Sequence, residues 1–114
     1  MVTKMENNYQ KVKIKIRKPG ITYETLWVRC LSANTGEINN IPIFTKRFKY
    51  GDVVEYDSKT FEVKKLISNG GYTKTKFAKY EGDPEPTIEK LMDDGYIVEL
   101  WQGLLAVTKA KSYL

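Results

Sequence analysis

Strict alternation of apolar and charged residues is the strongest pattern in the first part of the chain. Within residues 11–18, apolar side chains alternate with basic ones: Val12, Ile14 and Ile16 with Lys13, Lys15 and Arg17. Because the side chains of a β-strand point alternately to its two faces, this segment is predicted to be a strand with one face buried. Pro19-Gly20 ends it, and residues 23–31, rich in β-branched and aromatic side chains, predict a second strand.

Short segments separated by turn residues continue the pattern. The predicted elements are a segment over 37–44 that begins after Asn34-Thr35-Gly36, a hairpin of 53–56 and 60–67 around Asp57-Ser58-Lys59, and a strand that ends at Tyr80. Pro42 is expected either to confine its segment to a sheet edge or to interrupt it. Short strands joined by short turns favour a small curled antiparallel sheet or an SH3-like barrel of about five strands.

The last third of the chain changes to a helical period. Pro86 lies in a polar joint over residues 82–86 and suits the first turn of a helix, where the N–H that proline lacks would have no partner. Apolar residues then follow at helical spacing, and a glycine is expected to end the helix: Ile88, Leu91, Met92 and then Gly95. One side of this helix is therefore expected to be buried. Residues 96–101 and 104–108 predict two strands around Gln102-Gly103.

These elements define an α+β fold that is mostly β, with a C-terminal helix-plus-hairpin unit packed on the sheet. A length of 114 residues suits one compact domain. We expect a flexible N-terminus over residues 1–10 and a single domain over 11–114. Within it, residues 11–81 form the β-rich part and 82–114 the helix and two strands.

Two absences from the composition limit the chemistry. The chain has no histidine and one cysteine, Cys30, which excludes a histidine base, an internal disulfide and a zinc site built on thiolate pairs. Cys30 follows Leu26 and Val28 at alternate positions, so we interpret it as a buried structural thiol. No apolar run approaches membrane-spanning length and no apolar signal core precedes residue 10, so we expect a cytoplasmic protein with no membrane partner.

Charge is unevenly distributed along the chain. Residues 1–82 carry 16 basic and 8 acidic side chains, whereas residues 83–114 carry 3 basic and 6 acidic ones. The two parts therefore have net charges of +8 and −3, out of a total of +5. Such polarity can steer a charged partner, although solvation of two surfaces explains it equally well.

Three ordered motifs resemble a bacterial family known as the domain-of-unknown-function 4265 family (DUF4265). They are Tyr23-Glu24-Thr25-Leu26-Trp27, Asn39-Asn40-Ile41-Pro42-Ile43-Phe44 and Tyr50-Gly51-Asp52-Val53-Val54-Glu55. Gly95-Tyr96 and Leu104-Leu105-Ala106-Val107 are similar to its C-terminal part, so the resemblance spans residues 11–108. The chain departs from the family at Gly70-Gly71-Tyr72-Thr73, where members often have Gly-His-Ser/Thr. The resemblance implies an immunity protein, since members are among those proposed to neutralise bacterial polymorphic toxins.

An immunity protein is therefore the first functional hypothesis, with a cognate toxin domain as the partner. It needs a rigid shape, aromatic anchors and complementary charge, but no catalytic residues or cofactor. The candidate partner-binding residues are an acidic stripe on the helix and one aromatic side chain: Glu85, Glu89, Asp93, Asp94 and Trp101. The stripe would face the basic cleft of a nuclease toxin. A solvated helix surface and a core tryptophan are the alternative interpretations.

Nucleic-acid binding is the alternative function. Its candidate residues lie on the basic strand face and on a later segment: Lys13, Lys15, Arg17, Lys74 and Lys76. Lys46, Arg47, Lys49 and Lys79 could extend this surface, with Tyr50 or Tyr72 stacking on bases. Lysine-rich strands also prevent edge-to-edge aggregation, which is the competing explanation.

Catalysis is the third hypothesis and has the least support in the sequence. Asp52, Glu55 and Asp57 could supply a carboxylate pair or bind a hard cation, but their turn and hairpin already explain them. If Glu24 is buried, it needs a partner such as Arg29, Lys46 or a backbone donor, and we favour a structural ion pair. We therefore expect no catalytic or metal-binding residues.

Overall fold

The computed structural model describes residues 8–111, which form eight strands and one helix. In chain order the elements are β1 (Tyr9–Lys18), β2 (Ile21–Cys30), β3 (Thr35–Ile38), β4 (Val53–Tyr56), β5 (Val63–Ser68), β6 (Lys76–Ala78), α1 (Glu85–Asp93), β7 (Ile97–Trp101) and β8 (Leu104–Thr108). The predicted α+β class, mostly β, is confirmed.

The first five strands form one antiparallel sheet in sequence order, β1-β2-β3-β4-β5. Alternation along these strands places the apolar side chains on one face, where they form the core together with Phe48: Val12, Ile14, Ile16, Leu26, Val28, Ile38, Val54, Tyr56 and Val63. The strand pattern over 11–18 is thus confirmed, and its basic residues lie on the opposite, open face.

This sheet is curled but does not close into a barrel. Its two edges meet at a single parallel bridge between Lys13 and Glu62, where the Lys13 N–H donates to the Phe61 carbonyl at 3.0 Å. A closed barrel needs a continuous ladder between its first and last strands. The curled sheet is therefore the correct alternative, and the SH3-like barrel is wrong.

The last three strands form a second sheet in the order β6-β8-β7. The β7–β8 hairpin is confirmed, and its turn residues Gln102 and Gly103 both have positive φ, as a tight hairpin turn requires. Because β6 pairs with β8, the second sheet includes a strand from residues 11–81 as well as the two strands of residues 82–114.

Helix α1 begins and ends as the sequence predicts. Pro86 lies in its first turn, and Gly95 follows its end with φ +92°. The expectation of a buried side is wrong, because none of the helical residues is fully buried and Met92 is 59% exposed. The helix packs mainly against β7, so only a narrow strip that includes Ile88 and Leu91 is half-buried.

The segments around β3 differ from the predicted boundaries. Thr35 and Gly36 lie inside β3 rather than in a turn, and β3 lies between β2 and β4. Pro42 does not mark an edge strand, because the strand ends at Ile38 and Pro42 is buried in the following connection. We call residues 39–52 the connection.

The N-terminal prediction is tested only in part. Residues 1–7 of the predicted flexible segment 1–10 lie outside the described residues, whereas Tyr9 and Gln10 already belong to β1. Across residues 8–111, no helix has the length and apolarity needed to cross a membrane.

Candidate nucleic-acid interface

The open face of β1 and β2 pairs lysines with aromatic residues. The antiparallel register places Lys11 opposite Trp27 and Lys15 opposite Tyr23. Each of these side chains occupies an odd position, opposite in direction to the core residues of its strand, so each reaches the solvent side. We call these four residues together with Lys13 the lysine–aromatic face.

Two rings on this face are exposed and lie close to ammonium groups. Trp27 is 46% and Tyr23 38% exposed. The Lys11 Nζ lies 5.3 Å from the centre of the Trp27 ring, and the Lys13 Nζ 4.8 Å from the centre of the Tyr23 ring. These are cation–π distances, and each ammonium lies over one face of its ring, so a planar ligand would stack on the opposite face.

An ion pair marks one side of the lysine–aromatic face. The Arg29 Nη2 donates to the Glu37 Oε1 at 2.8 Å, and this bond with the opposite charge raises the pKa of the Arg29 guanidinium. Glu37 therefore compensates the charge of Arg29. The ammonium groups of Lys11 and Lys13 make cation–π contacts instead.

The connection is fixed beside this face by Glu24 of β2. The buried Glu24 carboxylate accepts hydrogen bonds from the backbone N–H groups of Ile43, Phe44 and Thr45, at 2.6, 3.0 and 2.8 Å. These donors compensate a charge that is costly to bury. The predicted ion pair is wrong, and the backbone-donor alternative is correct.

The fixed connection forms a basic groove with the end of β1. The groove has a volume of about 480 Å³, and five of its lining residues are cationic: Lys15, Arg17, Lys18, Lys46 and Arg47. No carboxylate lines it. A neighbouring pocket shares Lys15, Arg17 and Arg47 and adds Lys64, but also contains Asp57 and Glu62.

Two smaller pockets extend this basic surface toward the second sheet. Lys46 also lines a pocket with Lys49 and Lys74, and Lys74 lines a further one with Lys76 and Lys109. Neither contains a carboxylate, and the shared residues connect them to the groove. We call the cations of the groove and these two pockets the basic track.

The structure thus brings together most of the residues predicted for nucleic-acid binding. Lys15 and Arg17 lie at one end of the basic track and Lys74 and Lys76 at the other, while Lys13 lies on the lysine–aromatic face. The predicted extensions Lys46, Arg47 and Lys49 connect the two ends, but Lys79 lines none of these pockets.

The two tyrosines that we suggested for base stacking are engaged within the fold. Tyr50 and Tyr72 are half-buried and pack edge-on against each other, with ring centres 4.9 Å apart, and burial raises the pKa of Tyr50. Their rings therefore pack the connection against the segment that follows β5. The sequence analysis did not name the exposed rings of Tyr23 and Trp27 as candidates, although their alternation with Glu24 and Leu26 could have placed both on the open face.

Asp52 holds the end of the connection. Its buried carboxylate accepts the N–H groups of Lys49 and Gly70, both at 2.9 Å. Gly70 must lack a side chain, because a Cβ there would collide with the Gly51 backbone. Asp52 therefore holds the end of the connection close to the segment around Gly70.

The other two carboxylates of the catalytic hypothesis are also engaged. Asp57 accepts the N–H groups of Lys59 and Thr60 at 2.7 and 2.9 Å, and these bonds lower the pKa of its carboxyl group. Glu55 lies 3.8 Å from the Lys65 ammonium. Each carboxylate thus has a structural partner, and the three do not share one site.

The acidic stripe and Trp101 lie in different environments. Glu85, Glu89, Asp93 and Asp94 are all exposed, as the immunity hypothesis requires. Trp101 is half-buried, with its ring centre 5.8 Å from that of Phe44 and 6.2 Å from that of Phe77. It therefore packs between the connection and β6, rather than standing free as an anchor.

Cys30 is half-buried beside a buried tyrosine. Its Sγ lies 3.7 Å from the Tyr56 hydroxyl. Burial and this contact raise the pKa of Tyr56 to about 12. This environment agrees with a structural thiol, although the side chain is less buried than its position in the strand predicts.

Comparison with known proteins identifies a family and a fold. A crystal structure of a hypothetical protein from Neisseria gonorrhoeae is similar, with a TM-score of 0.68 and 18% sequence identity over 90% of this chain and 76% of the other. No curated protein matches the sequence significantly. Residues 24–112 match the family described as "Domain of unknown function (DUF4265)". This match covers most of the chain and includes the three motifs that suggested the resemblance, except Tyr23 of the first, so the chain belongs to the DUF4265 family.

Proposed function

We propose that the protein is a non-catalytic, cytoplasmic binding protein for single-stranded nucleic acid. The observation that carries this proposal is the basic track, in which cations from β1, the connection, the segment around β6 and Lys109 line joined grooves without a carboxylate. Phosphates of one strand would follow the track, while bases would stack on the lysine–aromatic face.

Electrostatics favour a polyanion as the ligand of the track. Lys46, Lys49 and Lys74 line pockets in which no carboxylate compensates their charge, whereas Arg17 and Arg47 also line the neighbouring pocket that contains Asp57 and Glu62. Nucleic-acid phosphates are regularly spaced anions, and their neutralisation releases condensed counterions, which makes binding favourable and dependent on salt.

The lysine–aromatic face favours a single strand over a duplex. The Tyr23 and Trp27 rings stand on a sheet, where only an unpaired base with a free face can stack on them. Exposed aromatic residues beside a positively charged groove are the usual combination in proteins that bind single strands without strong sequence preference. Lys15 lies in both surfaces, so one strand can contact both.

Matched charge reversals test the proposal. The double variant Lys46→Glu/Arg47→Glu reverses two track residues, and Lys59→Glu/Lys90→Glu makes the same change in charge at exposed residues outside the track. Affinity for a fluorescent oligothymidylate of about ten nucleotides is measured by anisotropy over a range of salt concentrations. We expect the track variant to lose at least tenfold more affinity and to flatten the log–log salt slope by about 1.4. Equal effects of the two variants would contradict the proposal.

An immunity protein is the second candidate. It is favoured by the four exposed carboxylates of the acidic stripe, of which Asp93 and Asp94 lie at the C-terminal end of α1. Carboxylates at that end oppose the helix dipole, so helix stability does not explain them. The implied role of the family supports the same candidate.

Co-expression tests this second candidate. A toxin domain encoded by the neighbouring upstream gene is produced with the protein, with Glu89→Lys or with the equally exposed control Glu81→Lys. The immunity hypothesis predicts survival with the unchanged protein and with the control Glu81→Lys, and killing with Glu89→Lys. Killing in every strain would exclude this pairing.

A further inference from the structure

A separate cleft opens beside the lysine–aromatic face, between β2, the connection and β7. Its volume is about 430 Å³, within the range of ligand pockets, which is about 300–1,000 Å³. Tyr23 belongs both to the cleft and to the lysine–aromatic face. Phe44 and Trp101 provide further aromatic surface. A base that leaves the stack on Tyr23 therefore finds a cleft directly beside it.

Two polar side chains in the cleft are partly engaged by the backbone. The Glu99 Oε1 accepts the N–H of Ile41 at 3.0 Å, and the Asn40 Oδ1 accepts the N–H of Trp27 at 2.8 Å. These bonds orient both groups and leave the Oε2 of Glu99 to accept and the amide NH₂ of Asn40 to donate. Glu24 also lines the cleft, but its carboxylate already accepts three backbone N–H groups.

The geometry points to a base-reading pocket that selects guanine through Glu99. This inference rests on the proposed binding of single-stranded nucleic acid. Guanine carries two adjacent donors, N1–H and N2–H, on its Watson–Crick edge; the Oε2 of Glu99 can accept one, and the second lone pair of its Oε1, beside the bond from Ile41, can accept the other. Its O6 is an acceptor for a donor such as the amide of Asn40. Adenine and cytosine place a ring-nitrogen lone pair at this edge, and thymine has one donor between two carbonyls, so each fits a carboxylate less well.

The protonation state of Glu99 should affect this selection. Burial raises the pKa of its carboxyl group, and the bond from Ile41 only partly opposes this effect. A ligand with two N–H donors would stabilise the ionised form. The preference for guanine should therefore weaken as the pH falls through the raised pKa of Glu99.

The test compares oligothymidylate with the same oligomer carrying one central guanine, or inosine, which lacks the N2 amine. The variants are Glu99→Gln, whose side-chain carbonyl can still accept from Ile41, and the control Glu85→Gln on the exposed face of α1. We expect the wild type and the control to bind the guanine oligomer about tenfold more tightly than oligothymidylate, with inosine in between. Glu99→Gln should lose this preference and keep its affinity for oligothymidylate.

The outcomes separate this inference from the function on which it rests. Equal binding of all three oligomers by the wild type would overturn the guanine pocket and leave the proposed function standing. A preference for guanine that survives Glu99→Gln would also overturn the pocket. Binding of none of the oligomers would overturn both. Thermal unfolding of each variant verifies that it is folded.

Discussion

The two sheets hold the same connection through glutamates that accept different numbers of backbone hydrogen bonds. Glu24 of β2 accepts three N–H groups from it, whereas Glu99 of β7 accepts one. Burial without enough donors raises the pKa of Glu99. The comparison indicates that Glu24 is committed to structure, whereas Glu99 retains capacity to bind a ligand.

The outer surface of the first sheet also differs from the surfaces of α1 and the second sheet. The first sheet presents lysines interleaved with exposed aromatic rings, and α1 presents carboxylates without an adjacent free aromatic anchor. Aromatic rings on the second sheet, such as Trp101, are used for packing. The lysine–aromatic face thus lies on the first sheet, whereas the basic track continues from the connection to β6 and Lys109.

Removing Glu24 is expected to have the largest effect. Glu24→Ala leaves three backbone donors without their acceptor, and each costs about 1–3 kcal/mol when buried, so unfolding free energy should fall by about 3 kcal/mol or more. Chemical denaturation measures the loss. The control Glu55→Ala removes only a loose, partly exposed ion pair and should cost less than about 1 kcal/mol. Equal losses would show that Glu24 does not hold the connection.

The two tryptophans should separate binding from stability. Trp27→Ala should reduce affinity for oligothymidylate by about 1–3 kcal/mol with little change in stability, because its ring is exposed and available for stacking. Trp101→Ala should instead lower stability by about 2 kcal/mol, less than for a fully buried tryptophan. Anisotropy and thermal unfolding measure the two effects. Wild-type affinity of Trp27→Ala for oligothymidylate would contradict the proposed stacking on Trp27.

Asp57 and Glu99 should respond oppositely to pH. Backbone bonds lower the pKa of Asp57, so its contribution to stability is present at neutral pH and lost as the pH falls through its folded value. Burial raises the pKa of Glu99, so its contribution is greatest in acid and is lost as the pH rises through its folded value. Carboxyl NMR titration of the folded protein checks both directions. Shifts in the same direction for both groups would contradict this account.

The smallest expected effect concerns the end of α1. Asp93→Asn removes a carboxylate that opposes the helix dipole and should raise stability by about 0.3–1 kcal/mol. Oligothymidylate affinity should change little, because α1 lines none of the track pockets. Thermal unfolding measures the gain, and a loss of stability would show that Asp93 makes a stabilising contact.

The sequence predicted the strands better than it predicted their closure. Alternation over 11–18 and the turn residues around the hairpins determine local structure, so these elements agree with the structure. Whether β5 pairs with β1 depends on the curl of the whole sheet, which no local pattern specifies. For the same reason the pairing of β6 with β8 was not predicted.

The sequence predicted which types of residue form the candidate site, but not which residues lie next to one another. Most cations of the basic track were predicted from charge, although Lys18 and Lys109 were not, and their proximity depends on the path of the connection. That path is fixed by the bonds of Glu24 to backbone N–H groups, which every residue except proline carries and which therefore leave little signal in the sequence. We expected the helix to bury Met92 because helical spacing shows which residues share one side. The spacing does not show whether another element covers that side, and Met92 is exposed.

An NMR titration of the full chain with oligothymidylate tests the central claim most directly. The account predicts saturable, salt-sensitive shifts of the amides of Lys11–Lys15, Tyr23–Trp27 and Lys46–Lys49, with those of α1 unchanged. Shifts confined to α1, or no shifts at low salt, would contradict it.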